Sequence, residues 1–215
     1  MQKTLRVGVL ANGQVTSDQW LEQQLQQLDL LICADGGTNH AYRLKYRPAL
    51  IIGDLDSINP SALAFYRDQR IPIKKYPVEK DDTDLKIALK AAIQAGADEV
   101  IILGATGNRL DHSLGAISLL AFLQTNGVKG IIRDECNEIT LTDATAIING
   151  LPGETVSLLP LTTKVTGITT ENLKYQVKDG TFTLGNPYGI SNVIVHSPAK
   201  VTVQTGLLLI IKSRE

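Results

Sequence analysis

The segment GDLDS at residues 53–57 places two aspartates directly after an apolar run of the sequence. Asp54 and Asp56 are one residue apart, and on a turn both carboxylates can reach a hard cation. Gly53 lets the backbone approach a ligand closely. Taken alone, the segment is equally compatible with an aspartate-rich turn in which Ser57 caps a helix.

A second group of aspartates crowds the start of a predicted helix in the segment KDDTD. One aspartate at a helix N-terminus is ordinary capping, but Asp81, Asp82 and Asp84 repel one another. A bound cation or a lysine would relieve that repulsion. Lys80 either does so or holds a phosphate group as a point charge. We therefore favour a functional interpretation of this segment.

A glycine-containing loop followed by charged residues forms the third segment, GATGNRLDH. Gly104 and Gly107 permit close backbone approach, and Arg109 can bind phosphate oxygens through two parallel hydrogen bonds. The predicted helix that follows supplies oriented N–H groups at its start. Asp111 shares the mouth of this loop, whereas His112 is a more ordinary helix-start or packing residue.

The fourth and weakest segment is Asp35-Gly36-Gly37, which again lies between a strand and a helix. Its glycines suit a turn close to a phosphate, although Asp-Gly-Gly is also common in plain turns. The two commonest nucleotide-binding motifs, GxxxxGK[ST] and GxGxxG, do not occur in the sequence.

Short apolar runs alternate with segments of helical periodicity through the first part of the sequence. Strands are predicted at 5–10, 30–34, 49–52 and 100–103, and helices from about Ser17, at 84–95 and at 111–124. This alternation predicts a doubly wound, mostly parallel α/β domain. All four polar segments lie at strand-to-helix junctions, so we expect them to meet in one cleft at the carboxyl edge of the sheet.

The texture changes after about residue 141, where threonine and valine become frequent and helical periodicity ends. Turn signals at 151–153, 179–180 and 186–187 separate short runs, and Asp179-Gly180 predicts a hairpin between 175–177 and 181–184. We therefore predict two domains, an α/β domain over residues 1–140 and a small antiparallel β-sandwich over residues 141–215. The apolar run 207–211 fits either a subunit interface or an internal core strand.

Composition limits the classes of partner. Of the 215 residues 43% are hydrophobic, enough for a sizeable core, and 21 basic against 22 acidic side chains leave a formal net charge of −1. This balance does not favour binding to nucleic acid or to an anionic membrane. Apolar runs all stop short of the roughly 18 residues a membrane span needs, so we expect a soluble, cytoplasmic protein.

Several aspartates with one arginine and one lysine fit a magnesium-bound polyphosphate, because Mg²⁺ bridges phosphate oxygens and cationic side chains neutralise developing charge. The residues alone thus predict phosphoryl or diphosphoryl transfer. Together, the four segments also resemble the thiamin pyrophosphokinase family: DGG at 35–37, GDLDS at 53–57, DDTD at 81–84 and GNRLDH at 107–112. Ser191-Asn192 and the closing GLLLII from Gly206 extend the resemblance into the second domain.

The resemblance implies that the first domain holds Mg²⁺ and ATP, that the β-sandwich helps to bind thiamin, and that two chains form a homodimer with thiamin at the interface. It implies transfer of a diphosphoryl group from ATP to thiamin, which yields thiamin diphosphate and AMP. The catalytic residues implied are Asp54, Asp56, Asp81, Asp84, Arg109 and Asp111, and the first four of these are the implied metal ligands. The ligand-binding residues implied are Asp35, Gly36, Gly37, Lys80, Thr83, Gly107, Asn108, Ser191 and Asn192.

Some alternatives remain open at this point. Asp111 and Asp81 are both candidates to accept the hydroxyl proton, and Tyr175 is either a strand-packing residue or a ring that stacks on thiamin. The activity itself has three alternatives: a pyrophosphokinase for a pterin alcohol, a haloacid-dehalogenase-type phosphatase with Asp54 as nucleophile, and a non-catalytic nucleotide- or thiamin-binding module.

Overall fold

A computed structural model describes residues 4–214 of the chain. The chain divides into two compact units, Met1–Glu135 and Cys136–Glu215. The predicted fold class is confirmed, because the first unit is α/β with a parallel sheet and the second is antiparallel β. Within residues 4–214 no helix combines the length and the apolar character needed to cross a bilayer.

The first unit alternates strands and helices along the chain. In order they are β1 (Arg6–Leu10), α1 (Asp18–Leu25), β2 (Leu30–Ala34), α2 (Gly37–Arg43), β3 (Leu50–Gly53), α3 (Pro60–Asp68), β4 (Ile73–Lys75), α4 (Asp84–Gln94), β5 (Glu99–Leu103), α5 (Leu110–Thr125) and β6 (Lys129–Arg133). The described strands are arranged β6-β5-β1-β2-β3-β4, and every neighbouring pair is parallel.

Helix starts in this unit follow the local sequence. Ser17 caps α1 by accepting a hydrogen bond from the Trp20 amide at 3.2 Å, and Thr83 caps α4 in the same way from the Lys86 amide at 3.3 Å. Leu21 and Leu25 then fall on one face of α1, where both are fully buried. Thr83, predicted as a ligand-binding residue, is therefore a helix cap in this structure.

Strands β2 and β3 carry side chains into cores on both faces of the sheet. Cys33 and Ile51 belong to the same cluster as Ala62 and Tyr66 of α3, whereas the neighbouring Ile52 borders a cavity together with residues of α4. Successive strand residues point to opposite faces, so both faces of the sheet are covered. Because the strands are parallel, all of their following loops emerge at one edge.

The second unit consists of eight described strands: β7 (Asn137–Thr142), β8 (Thr145–Ile148), β9 (Thr155–Pro160), β10 (Lys164–Glu171), β11 (Gly180–Thr183), β12 (Gly189–Val193), β13 (Ala199–Thr202) and β14 (Leu208–Ser213). They form two antiparallel sheets, ordered β12-β9-β14-β7 and β11-β10-β13-β8. Val156 and Leu208 from one sheet pack in a single cluster with Val165 and Phe182 from the other. The unit is therefore a β-sandwich.

The prediction of a hairpin at Asp179-Gly180, with residues 175–177 paired to residues 181–184, is wrong. Strand β11 pairs with β10, and residues 175–177 lie in the connection between them and outside any strand. Hydrogen bonds hold that connection against β10, since the Val177 amide donates to Thr170 Oγ1 at 2.8 Å and the Thr170 amide donates to the Val177 carbonyl at 2.9 Å. The turn residue was recognised correctly, because Asp179 has a φ of 50°. The hydrogen bonds between this connection and β10 leave β10, and not residues 175–177, as the partner of β11.

Candidate active site

Three aspartates from different segments meet at the carboxyl edge of the first sheet. Asp35 follows β2, Asp54 follows β3 and Asp84 begins α4, and each contributes an oxygen that lies within 4.8 Å of the other two. All three side chains are partly buried. Within residues 4–214 the buried Oδ1 of Asp35 has no hydrogen-bond partner. An unsatisfied buried oxygen is costly, and three carboxylates are the ligands a hard cation prefers, so this cluster fits Mg²⁺.

Three glycines beside the cluster, Gly36, Gly37 and Gly53, lie where a Cβ atom would not fit. Asp35 has a φ of 44°, in the left-handed region, and Gly53 has a φ of 148°. A Cβ atom on Gly53 would lie 2.9 Å from Cβ of Asp35, so a larger residue would displace that carboxylate. A Cβ atom on Gly37 would collide with the Leu10 carbonyl oxygen, and one on Gly36 with the side chain of Asn12. These glycines therefore serve close packing of the turn around Asp35.

Lys80 binds two of the three carboxylates. Its Nζ lies 3.0 Å from Asp54 Oδ2 and 3.1 Å from Asp84 Oδ1, and it also donates to the carbonyl oxygen of Pro77 at 3.0 Å. Burial opposes ionisation of Asp54, but the hydrogen bonds from Lys80 and from the Asp56 amide hold the pKa of Asp54 below its usual value. Lys80 therefore relieves repulsion within the cluster, and through Asp84 it does so within its own segment as well.

The pKa of Asp84 shifts in the opposite direction. Burial raises the pKa of this carboxyl, and the nearby charges of Asp54 and Asp35 raise it further, against the effect of Lys80. Ionised Asp84 thus carries an electrostatic cost that a divalent cation would remove.

Two aspartates predicted as metal ligands lie outside the group of three. Asp56 is exposed, and its Oδ1 accepts a hydrogen bond from the Ser57 hydroxyl at 3.0 Å. Asp81 is also exposed and borders a cavity of about 330 Å³ beside Lys80. Their assignment as metal ligands stays a prediction.

Asp82 pairs with two lysines of the helix that follows it. It forms an ion pair with Lys86 at 2.6 Å and a second with Lys90, both on α4. These two lysines offset the repulsion between Asp82 and the neighbouring aspartates. Asp82 therefore stabilises the start of α4.

Arg109, at the end of the loop after β5, and Asp111, in the first turn of α5, form an ion pair through two hydrogen bonds. Arg109 Nε lies 2.9 Å from Asp111 Oδ1, and the terminal Nη2 lies 2.6 Å from Oδ2. Both side chains are exposed, at 69% and 63%. The hydrogen bonds from Arg109 hold the pKa of Asp111 far below its usual value. While this pair persists, Asp111 is a poor proton acceptor. Gly107 and Asn108 are exposed on the same loop.

The loop after β1 was missed by sequence reasoning. The Gly13 amide donates to the Gly104 carbonyl and the Gln14 amide to the Thr106 carbonyl, so this loop runs alongside the loop that carries Arg109. His40 Nε2 lies 2.9 Å from the Gly13 carbonyl oxygen. The segment Asn12-Gly13 had a turn signal in the sequence, but nothing local indicated which loops it would join.

Two acidic residues after β6 hold the loops of the candidate site. Glu135 Oε1 accepts hydrogen bonds from the Thr16 amide at 2.7 Å and from the Ser17 amide at 3.1 Å. Asp134 Oδ2 accepts one from the Thr106 hydroxyl at 2.9 Å. Glu135 thus fixes the loop after β1, and Asp134 fixes the loop after β5.

Replacing Glu135 by glutamine is expected to lower stability at pH 7 by about 1–2 kcal/mol, because hydrogen bonds to a charged acceptor are the stronger ones. Burial raises the pKa of Glu135, but the Thr16 and Ser17 amides outweigh burial and leave it below the ordinary value. Such a carboxyl stabilises the fold above its unfolded pKa of about 4.3, and that contribution is lost as pH falls through the lower folded value. Thermal unfolding from pH 7 to pH 3 should show a gap between parent and variant that closes at the acid end. A gap independent of pH would contradict this account.

The predicted thiamin-side residues lie in the second unit. Asn192 is buried, and its side chain accepts from the Tyr175 amide at 2.9 Å and donates to the Tyr175 carbonyl at 2.7 Å. Ser191 is exposed, with a φ of 59°. Tyr175 lies outside any strand with 60% of its surface exposed, so it is not a strand-packing residue. Asn192 therefore fixes the backbone that presents the Tyr175 ring.

Comparison with known proteins gives one family for both units. Residues 21–132 match the model "Thiamin pyrophosphokinase, catalytic domain", and residues 135–208 match "Thiamin pyrophosphokinase, vitamin B1 binding domain". The chain is 30% identical to a thiamine pyrophosphokinase of Bacillus subtilis over 196 residues, which cover 86% of this chain and 88% of that protein. It is 25% identical to thiamine pyrophosphokinase 1 of Oryza sativa subsp. japonica over 210 residues, covering 86% and 79%.

Solved structures agree with these matches. The crystal structure of thiamine pyrophosphokinase from Bacillus subtilis superposes on this chain with a TM-score of 0.87 at 28% identity, and the alignment covers 98% of this chain and 99% of that one. Similarity therefore extends over both units.

Proposed function

Since the chain belongs to the thiamin pyrophosphokinase family of diphosphotransferases, we propose that it transfers the diphosphoryl group of Mg²⁺-bound ATP to the hydroxyl of thiamin. The observation that carries this proposal is the convergence of Asp35, Asp54 and Asp84 around Lys80 at one edge of the parallel sheet. In such sheets, ligands bind outside the carboxyl ends of the strands.

The carboxylates of this cluster would hold the cation, and Asp56 and Asp81 are the further ligands proposed from the motifs. A bound Mg²⁺ would neutralise negative charge on the phosphate groups. The fork of Arg109 is exposed after β5, at the same edge of the sheet, and has the geometry to bind two phosphate oxygens once it leaves Asp111. The hydrogen bond from Lys80 favours the ionised form of Asp54, which is the form that binds a cation.

In the proposed reaction the thiamin oxygen forms a bond to the β-phosphorus of ATP, while the bond from that phosphorus to the oxygen of the α-phosphate breaks. AMP carries away the bond electrons, and the hydroxyl proton passes to a base or to water. Positioning and charge neutralisation supply most of the rate in a loose transition state of this kind. Asp81 and Asp111 are both candidates for that base, because Asp111 loses the hydrogen bonds that lower its pKa when Arg109 turns to the phosphates.

A direct test of the proposal is release of AMP from ATP in the presence of thiamin, a pterin alcohol or no acceptor. We expect AMP and thiamin diphosphate in equal amounts, and only with thiamin. AMP formed only with the pterin alcohol would indicate a pterin pyrophosphokinase, and inorganic phosphate without AMP would indicate a phosphatase. Binding of ATP or thiamin without turnover would indicate a non-catalytic module.

The cytoplasmic location proposed from the sequence is consistent with ATP as donor.

We propose further that the second unit binds thiamin through the segment of Ser191, Asn192 and Tyr175, and that it mediates a homodimer. Exposed apolar side chains support an interface on this unit, since Tyr188 and Ile190 at or beside the edge strand β12, and Leu184 just after the edge strand β11, are each at least half exposed. Exposed apolar edges of this kind are commonly covered by another chain. The apolar run 207–211 adds no support, because β14 lies between β9 and β7 and is buried within its own unit.

Sedimentation at assay concentration is expected to give about twice the chain mass of 23.3 kDa. Replacing Ile190 by aspartate should shift the protein toward the monomer, because a charge cannot be buried unpaired at an apolar interface. Val78→Asp, at another exposed apolar position in the first unit, serves as a control and should leave the mass unchanged. A fully active monomer would contradict the proposed dimer while leaving the metal site unaffected.

A further inference from the structure

Asn39 connects the loops that carry two of the three clustered aspartates. It lies in the first turn of α2, four residues after Asp35. Its Nδ2 donates to the carbonyl oxygen of Ser57 at 2.8 Å, and its Oδ1 accepts from the amide of Asn59 at 2.9 Å. Both ends of one carboxamide are therefore bound to the backbone of the loop after β3, which carries Asp54.

That loop contains a strained residue next to the cluster. Leu55 has a φ of 71°, a left-handed conformation that is unfavourable for a residue with a Cβ atom. Such conformations persist only where the surrounding structure holds them. The bonds from Asn39 fix the chain two and four residues after Leu55. Two residues before Leu55, the Gly53 carbonyl accepts a hydrogen bond from the Tyr76 amide at 2.8 Å. Asn39 thus supplies the restraint on the far side of the strained residue.

The chemistry of the side chain is specific. A primary carboxamide offers a donor and an acceptor at the same time, which matches one backbone carbonyl and one backbone amide. Alanine offers neither group, and a carboxylate would place a second acceptor against the Ser57 carbonyl. Among the described residues, these bonds use both ends of the Asn39 side chain, so Asn39 acts on the cluster through the loop and not by direct contact with the cation.

We propose that Asn39 is a positioning residue that holds the loop after β3 so that Asp54 stays within reach of Asp35 and Asp84, and that it thereby sets the affinity of the site for a divalent cation. This inference rests on the proposed function for the identity of the cation. If the loop relaxes around Leu55, Asp54 leaves the group and the remaining carboxylates bind the cation more weakly.

The test measures binding of Mn²⁺ alone to the nucleotide-free protein, by electron paramagnetic resonance of the unbound ion, with Mg²⁺ as competitor. For Asn39→Ala we expect the dissociation constant to rise at least about tenfold, which corresponds to 1.4 kcal/mol. Turnover should recover largely at saturating Mg²⁺, and the KM for thiamin should not change. A merely structural residue would alter the thermal midpoint without this selective effect on the cation.

Asn126→Ala is the matched control. This asparagine also donates from Nδ2 to a backbone carbonyl at 2.8 Å, that of Phe122, but it does so at the end of α5. We expect its removal to leave the Mn²⁺ dissociation constant within about twofold of the parent, a change of less than about 0.5 kcal/mol. An equal effect in both variants would overturn the inference.

Asn59→Pro tests one of the two bonds without touching Asn39, and decides the case if Asn39→Ala does not fold. Asn59 has a φ of −57°, which proline adopts, and its side chain makes no capping bond. We expect a smaller rise in the dissociation constant than in Asn39→Ala. Unchanged Mn²⁺ affinity in folded variants, with a parent that binds Mn²⁺ and releases AMP, would overturn the inference alone. A parent that binds no Mn²⁺ would overturn the proposed metal site and this inference with it.

Discussion

Replacing Asp54 or Asp84 by asparagine is expected to lower turnover at least about 100-fold while leaving the fold intact. Each substitution removes a charge from the group of carboxylate oxygens that lie within 4.8 Å of one another. Charge stabilisation through a bound metal is worth several kcal/mol, so the loss should persist at saturating ATP. The measurement is steady-state release of AMP with thiamin as acceptor, together with circular dichroism of each purified variant.

Asp82→Asn is the matched control for these variants. Asp82 belongs to the same short segment as Asp84, but it pairs with Lys86 and Lys90 instead. Its replacement should cost some thermal stability and leave turnover close to that of the parent. Near-parent turnover in Asp54→Asn and Asp84→Asn would reject the proposed metal site. Asp56→Asn tests a further point, since a loss of the same size would place this exposed aspartate with the group when substrates bind.

Replacing Arg109 by lysine is expected to reduce turnover by roughly 10- to 100-fold, because the charge is kept but the planar fork is lost. In the structure that fork holds Asp111 through two hydrogen bonds. A phosphate group offers the same pair of acceptor oxygens and would take the place of the carboxylate. The KM for thiamin should change little, since Arg109 is proposed to act on ATP.

Arg6→Lys provides the corresponding control. Arg6 also pairs with a carboxylate, Glu99, at 2.7 Å, but it begins β1 at the opposite edge of the same sheet. The substitution should leave kcat and both KM values near those of the parent. If Arg109→Lys were as active as the parent, Arg109 would be a surface cation whose partner is Asp111 alone.

The parallel domain could be predicted because its signals are local. The strand predicted at 30–34 has the bounds of β2, and Ser17 caps α1 where a helix was expected to begin. The predicted family is also confirmed. Two of the four aspartates predicted as metal ligands, Asp54 and Asp84, lie in the observed group, because a parallel sheet brings all strand ends to one edge.

Other features of the site could not be predicted, because they depend on bonds between distant parts of the chain. Glu135 accepts a hydrogen bond from a backbone amide 118 residues earlier in the chain. The Asn39 side chain bonds to backbone groups about 20 residues later. No periodicity or short motif encodes such partners. The third aspartate of the group, Asp35, had only a weak Asp-Gly-Gly signal, and its importance came from burial and from its neighbours.

The strand order has a consequence for synthesis on the ribosome. Strands β1 to β4 emerge in the order in which they lie side by side, but β5, the second neighbour of the central strand β1, is made only after α4. Until then one edge of β1 presents unpaired amide and carbonyl groups, which are a template for pairing with another chain. The aspartates of the cluster are all made before this edge closes, whereas Arg109 follows it. The cation ligands and the arginine thus enter the nascent chain before and after the strand that pairs with the second edge of β1.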